Sequence, residues 1–184
     1  QATVSAPVAS QAVVQAEAAS HVSLIGSGQV DAVITFEPMK SALVQRGHPV
    51  IFDSRQMPGD IVDVLVVTAQ AALAQPSQIV ATLAAWERGR QALLLHPETM
   101  AVLLARGTGL DAAQYQRALD GLTLASLDDN RPWLGNGPGG LAQQSGPLVE
   151  VLLRLGVIRR RPDWPGLLAG AAATCTQARL VAAA

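Results

Sequence analysis

Three short runs rich in β-branched residues bound what this chain can fold into. They are residues 29–36, ending "VITF", the "HPVIFDS" run at 48–54, and "IVDVLVV" at 61–67. All three read as strands, because branched and aromatic side chains suit a pleated, covered surface. Everything around them carries helical patterns. Three strands fall short of a usual sheet of about five, and the helical segments need something to cover. Either the chain is mainly helical, or its sheet draws on strands outside these runs.

The first run ends in an unusual way. Residues 32–36 are apolar apart from Thr35, and Glu37-Pro38 then stops the strand on a carboxylate. Pro38 suits the first turn of a helix, which is expected to run to Gln45 and end at Gly47. The third run alternates poorly between polar and apolar, as a strand covered on both faces of a parallel sheet does. Asp63 interrupts it with a charge.

Helix signals fill the rest. Val13, Ala16, Ala19 and Val22 recur at helical spacing within residues 9–25, with "GSG" at 26–28 as the stop. "RQMPGD" at 55–60 reads as a loop. From Thr68 onward the pattern is helical, and Pro76-Ser77 opens a helix through Trp86 to Leu95. His96-Pro97-Glu98 breaks it and starts another through Arg106. Residues 107–122 are a loop followed by a helix capped near Asp111. Residues 126–140, "SLDDNRPWLGNGPGG", hold many turn formers and read as a long loop. A helix over 141–155 ends at Gly156, and a short one follows Asp163-Trp164-Pro165.

Composition excludes several classes. At 184 residues, with 49% hydrophobic and 15% charged residues, the chain can build a core in one domain or two small lobes. A net charge of −1 lacks the basic excess of a nucleic-acid binder. Arg159-Arg160-Arg161, the one basic run, reads as a solvated loop ending at Pro162. Cys175 stands alone, which excludes an internal disulfide and a cysteine zinc site and says nothing of compartment. No apolar run reaches the ~18–20 residues that span a bilayer, since Asp63 and Arg179 interrupt the candidates. The chain is therefore expected not to be an integral membrane protein. "QATVSAPVAS" does not read as a signal peptide, so an exported form would carry its signal outside this sequence.

Catalytic and metal signatures are sparse. His21, His48 and His96 lie on different expected elements, without the i, i+4 pairing of a metal site. "GSG" and "GNGPGG" lack the strand-then-helix context of a nucleotide loop. There is no Ser-x-Gly nucleophile elbow and no evident Cys–His pair. No catalytic residue, cofactor or metal is expected, and this suits a binder better than an enzyme.

Taken in order, "GQVDAVITFEP", "VIFDS", "PGDIVDVLVV", Trp86, His96-Pro97-Glu98, the Tyr115 helix, Asp128-Asp129-Asn130 and a late Gly-Val-Ile before Asp-Trp resemble one family. They resemble the substrate-binding proteins of ABC importers for nitrate, taurine, alkanesulfonates and thiamine-precursor pyrimidines. The likeness runs from about residue 24 to 168 and departs from the family in lacking its opening half. The resemblance implies an α/β, periplasmic-binding-protein-like (type II) two-lobe fold, represented only by its helix-rich C-terminal part. Residues 1–60 would be the end of the second lobe. Residues 61–184 would be the strand returning across the hinge and the helical back half of the first lobe. It also implies a periplasmic protein with a small-molecule ligand and the importer's membrane permease as partners. The alternatives are an enzyme on the same fold, of the thiamine-pyrimidine synthase kind, and a ligand-sensing domain.

Ligands of open α/β sheets sit beyond the carboxyl ends of strands, and the resemblance places Glu37 in the cleft. There it could accept hydrogen bonds from a ligand amine or ring N–H. The competing use is simpler: a carboxylate favourably meets the N-terminal dipole of the following helix, worth about 0.3–1 kcal/mol. Phe36 could stack on a ligand or pack in the core. Thr35 offers a hydroxyl near the same strand end. Asp63 by resemblance lies near the hinge, facing the cleft, and otherwise needs an ion pair or hinge backbone, since an unpaired buried carboxylate is costly. Asp31 suits a turn before its strand.

Overall fold

In the computed structural model, the described residues are 13–57, 59–135 and 137–183. Eleven α-helices form among them: α1 (His21–Gly26), α2 (Met39–Gln45), α3 (Ala69–Ala74), α4 (Pro76–Leu95), α5 (Pro97–Leu104), α6 (Ala112–Leu119), α7 (Leu127–Trp133), α8 (Leu141–Gln144), α9 (Gly146–Arg154), α10 (Trp164–Leu167) and α11 (Ala171–Ala182). The protein is helix-rich. Single 3-10 turns add Ala18–Ser20 and Ser54–Gln56.

No strand forms among the described residues, which corrects the expected strands at 29–36, 48–54 and 61–67. Among the described residues, 30–35, 49–52 and 61–67 make no backbone–backbone hydrogen bond. The physical reason is that branched residues favour an extended backbone, whereas a ladder also needs a second chain segment to bond with. Their apolar side chains are correspondingly open: Ile34 is 97% exposed, Ile51 84% and Val66 79%.

Most helix boundaries follow local chemistry. Thr68 Oγ1 accepts the Ala71 N–H at 3.1 Å to open α3, and Pro76 occupies the first turn of α4. Asp111 and Gln114 form a reciprocal capping box on α6. Past α2, Gly47 adopts φ 86°, a left-handed turn that glycine makes without strain.

Three expectations change. The helix expected over 9–25 is confined to α1 and the turn before it, with residues 9–12 outside the described residues. Residues 13–17, Val13 and Val14 included, are exposed, so they lack the tertiary packing that short helices need. The long loop expected at 126–140 contains α7. Ser126 Oγ accepts the Asp129 N–H at 3.1 Å, and Asp129 accepts the Ser126 N–H at 2.9 Å. The single helix over 141–155 is broken at Ser145, because Pro147 sits in the first turn of a new helix, α9. In addition α11, over which no element is expected, is a full helix.

Two compact units form. One holds the residues up to Val62 with Leu104–Gly121, the other Asp63–Leu103 with the chain from Leu122 onward. In the first, α1 and α2 pack together, burying His21 and Leu43. In the second, α11 packs on both α4 and α7. Ala84, Leu127, Cys175 and Ala178 form its core, with Val80, Leu83, Leu134 and Ala182 around them. Ala84 and Ala178 are 0% exposed, and such small residues let helix backbones approach closely.

Candidate functional site

Residues 33–36, which lead into a turn at Glu37-Pro38, alternate in exposure. Val33, Thr35 and Glu37 are partly covered, while Ile34 and Phe36 face solvent. This is the period-two pattern of a strand with one face on helices. On the covered side, the Thr35 hydroxyl meets Nδ1 of buried His21 at 2.9 Å. Glu37 turns toward α2, where one carboxylate oxygen lies 2.9 Å from Lys40 Nζ and the other accepts the Ser41 N–H at 3.1 Å.

Partial burial alone would raise the Glu37 pKa. The hydrogen bonds from Lys40 and Ser41 outweigh it, and the carboxyl sits below its ordinary value. Glu37 is thus held as a carboxylate. The group has about four lone-pair sites, so it can accept further N–H donors while keeping both present partners. It is suited to receive hydrogen bonds and unsuited to donate a proton near neutral pH.

Three of the four expected site residues therefore lie in sequence at one strand-like end: Thr35 and Glu37 on its covered side, Phe36 on its open side, 62% exposed. The open Phe36 ring is available for stacking and does not serve as core. Asp63 belongs to the second unit, is exposed, and makes no hydrogen bond or ion pair among the described residues. Exposure removes the cost that an unpaired carboxylate would carry in an apolar strand. Asp31 is exposed as well.

Searches of family models, curated proteins and solved structures returned no match.

The second unit contains a polar cluster that sequence reading missed. Glu87 on α4 is 4% exposed and accepts from Arg90 Nε at 3.0 Å, Arg90 Nη2 at 2.7 Å and Gln91 Nε2 at 3.0 Å. It also accepts the Leu127 N–H at 3.4 Å. The Arg90 guanidinium, aided by Gln91, holds the Glu87 carboxyl below its usual range against the opposing effect of burial. The spacing of Glu87, Arg90 and Gln91 puts all three on one helical face, a signal that was readable. The His21–Thr35 pair spans 14 residues and has no local signal.

The same unit carries an open cleft of about 690 Å3, walled by Asp128, Arg131 and Pro132 of α7 and by Ala172, Ala173 and Thr176 of α11. Asp128 there pairs with Arg131 at 3.6 Å and Arg179 at 2.8 Å. Among the described residues, no group of three His, Cys, Asp or Glu side chains could hold a metal ion. No helix among them is long and apolar enough to cross a membrane.

Proposed function

We propose that this chain is the C-terminal portion of a solute-binding protein serving an ABC importer. The solute class is nitrate, a sulfonate such as taurine, or a pyrimidine-like nutrient, captured between two α/β lobes. The observation that carries the reading is the set of three branched-residue segments at 30–35, 49–52 and 61–67 that pair with no other backbone among the described residues. The run at 61–67 has the composition of a strand in the middle of a parallel sheet, and Ile34, Ile51 and Val66 in the three segments stand open to be covered. A sheet completed by further strands would put Glu37 and Phe36 beyond a strand end, where α/β sheets hold ligands. Glu37 would then accept N–H groups from the solute or from the opposite lobe, with Phe36 stacking beside it. The partner of the closed form would be the importer's permease, and the compartment the periplasm.

The test is a thermal-shift and calorimetry screen with nitrate, taurine, an alkanesulfonate and an aminopyrimidine. It is run on the 184 residues and on the product of the reading frame extended upstream of Gln1. The extended protein should bind one of these solutes and the chain alone should bind weakly or not at all. Amide exchange at 30–35 and 61–67 should be fast in the chain alone and slowed in the extended form. Tight binding by the isolated chain, or unprotected amides at these segments in the extended protein, would remove the reading.

A further inference from the structure

We propose that the loop at 158–163 forms a binding site for a multiply charged oxyanion of the phosphate type, held by Arg159 and Arg160. This site stands apart from the function proposed above and does not rest on it. Arg159, Arg160 and Arg161 line one cavity of about 640 Å3, with the Asp163 carboxylate in the same lining and Ile158 and Leu167 as apolar walls. In a chain whose net charge is −1, three consecutive arginines lining one cavity are a local concentration and not a reflection of the whole surface.

The nearby carboxylates are already engaged. Asp163 Oδ1 accepts the Gly166 N–H at 3.2 Å to open α10. Glu150 on α9 pairs with Arg161. That ion pair ties the loop to α9, and Pro162 restricts the backbone of Arg161 before it. Arg159 and Arg160 have no carboxylate within ion-pair distance among the described residues. Each presents a planar fork that can take two oxyanion oxygens together. A di- or polyanion between them would relieve their mutual repulsion and complete their hydrogen bonding. Both side chains are exposed, so the binding should weaken steeply with added salt.

The experiment titrates the isotopically labelled chain with sodium pyrophosphate, against sodium chloride at matched ionic strength. Arginine Nε–H and backbone N–H signals are followed by NMR. The site requires saturable shifts concentrated at 158–167. It also requires the Arg159→Gln/Arg160→Gln double variant to bind about tenfold or more weakly, with an unchanged circular dichroism spectrum. Three outcomes overturn it: no saturable shift with pyrophosphate, equal shifts at other exposed arginines such as Arg46, Arg88 and Arg106, or a double variant that titrates like its parent.

Discussion

Glu87, within α4, accepts the backbone N–H of Leu127 at 3.4 Å across 40 residues of sequence. Leu127 is the first residue of α7, so one carboxylate is shared between its own helix and the start of another. The same side chain is bonded to Arg90 and Gln91, and it is buried. Glu87→Ala should therefore destabilise the second unit by about 2–4 kcal/mol, because it strands a largely covered guanidinium and an unmet N–H together. Urea unfolding of the parent, Glu87→Ala, Arg90→Ala and the double variant checks this. The double variant should lose clearly less than the sum of the singles.

Acid should reach the same contact. The Glu87 pKa lies below its ordinary 4.5 in the folded chain, chiefly through the Arg90 hydrogen bond. A carboxyl with a depressed folded pKa contributes stability that is fully present above its unfolded value and is lost as pH falls through the folded value. The stability gap between the parent and Glu87→Gln should thus be constant above about pH 5.5 and shrink as pH drops toward about 3. Urea midpoints across that range measure it. A gap that grows on acidification would contradict the assignment.

Cys175 sits in the core formed by Ala84, Leu127 and Ala178, and burial pushes its thiol pKa up. Both facts reduce thiolate access. An aromatic disulfide reagent should leave Cys175 unmodified in the native chain and modify it rapidly in urea. The neighbouring position gives the stability counterpart. Ala178→Leu, at 0% exposure between α4 and α11, should cost about 1–3 kcal/mol by overpacking. Leu73→Ala on exposed α3 should change stability by no more than about 0.5 kcal/mol.

How much of this was legible in the sequence depended on where the deciding interaction lay. The α4 and α6 helices were readable because Pro76 and Asp111 act within a few residues of themselves. The α7 helix was hidden by the turn formers Asp128, Asn130 and Pro132, although the Ser126–Asp129 cap that starts it was present in the sequence. The α11 helix was hidden for a different reason. Its "AAATCTQARLVA" mixes small, polar and apolar residues around all sides, so its role comes from packing on α4 and α7. The strand-like segments were readable in composition, but pairing is a property of two segments and no single run encodes it. At the candidate site the Glu37 contact with the next helix was anticipated, Lys40 three residues on completed it, and the His21–Thr35 bond had no local trace.

The open segments carry a surface prediction. Ile34 and Val66 expose most of their side chains on backbone that makes no ladder among the described residues, and such edges invite pairing with another chain. Ile34→Lys and Val66→Lys should lower self-association in sedimentation or light scattering. Their stability in urea should stay within about 0.5 kcal/mol of the parent. A large loss of stability would mean that both side chains are packed in solution.

Two glycines should respond in opposite directions to the same change. A Cβ on Gly140 would lie 2.7 Å from the Gly135 carbonyl oxygen and 3.2 Å from that of Gly137. Both obstacles are backbone, so the turn before α8 must move, and Gly140→Ala should destabilise by about 1–3 kcal/mol. Gly89 lies inside α4 with nothing within 4 Å of the added carbon. Gly89→Ala restricts the unfolded chain and favours the helix, and should stabilise by about 0.5–1 kcal/mol. Thermal and urea unfolding of the two variants side by side measures both signs. A neutral Gly140→Ala would mean that the carbonyls of Gly135 and Gly137 do not converge on that position in solution, and with them would go the close turn that ends in α8.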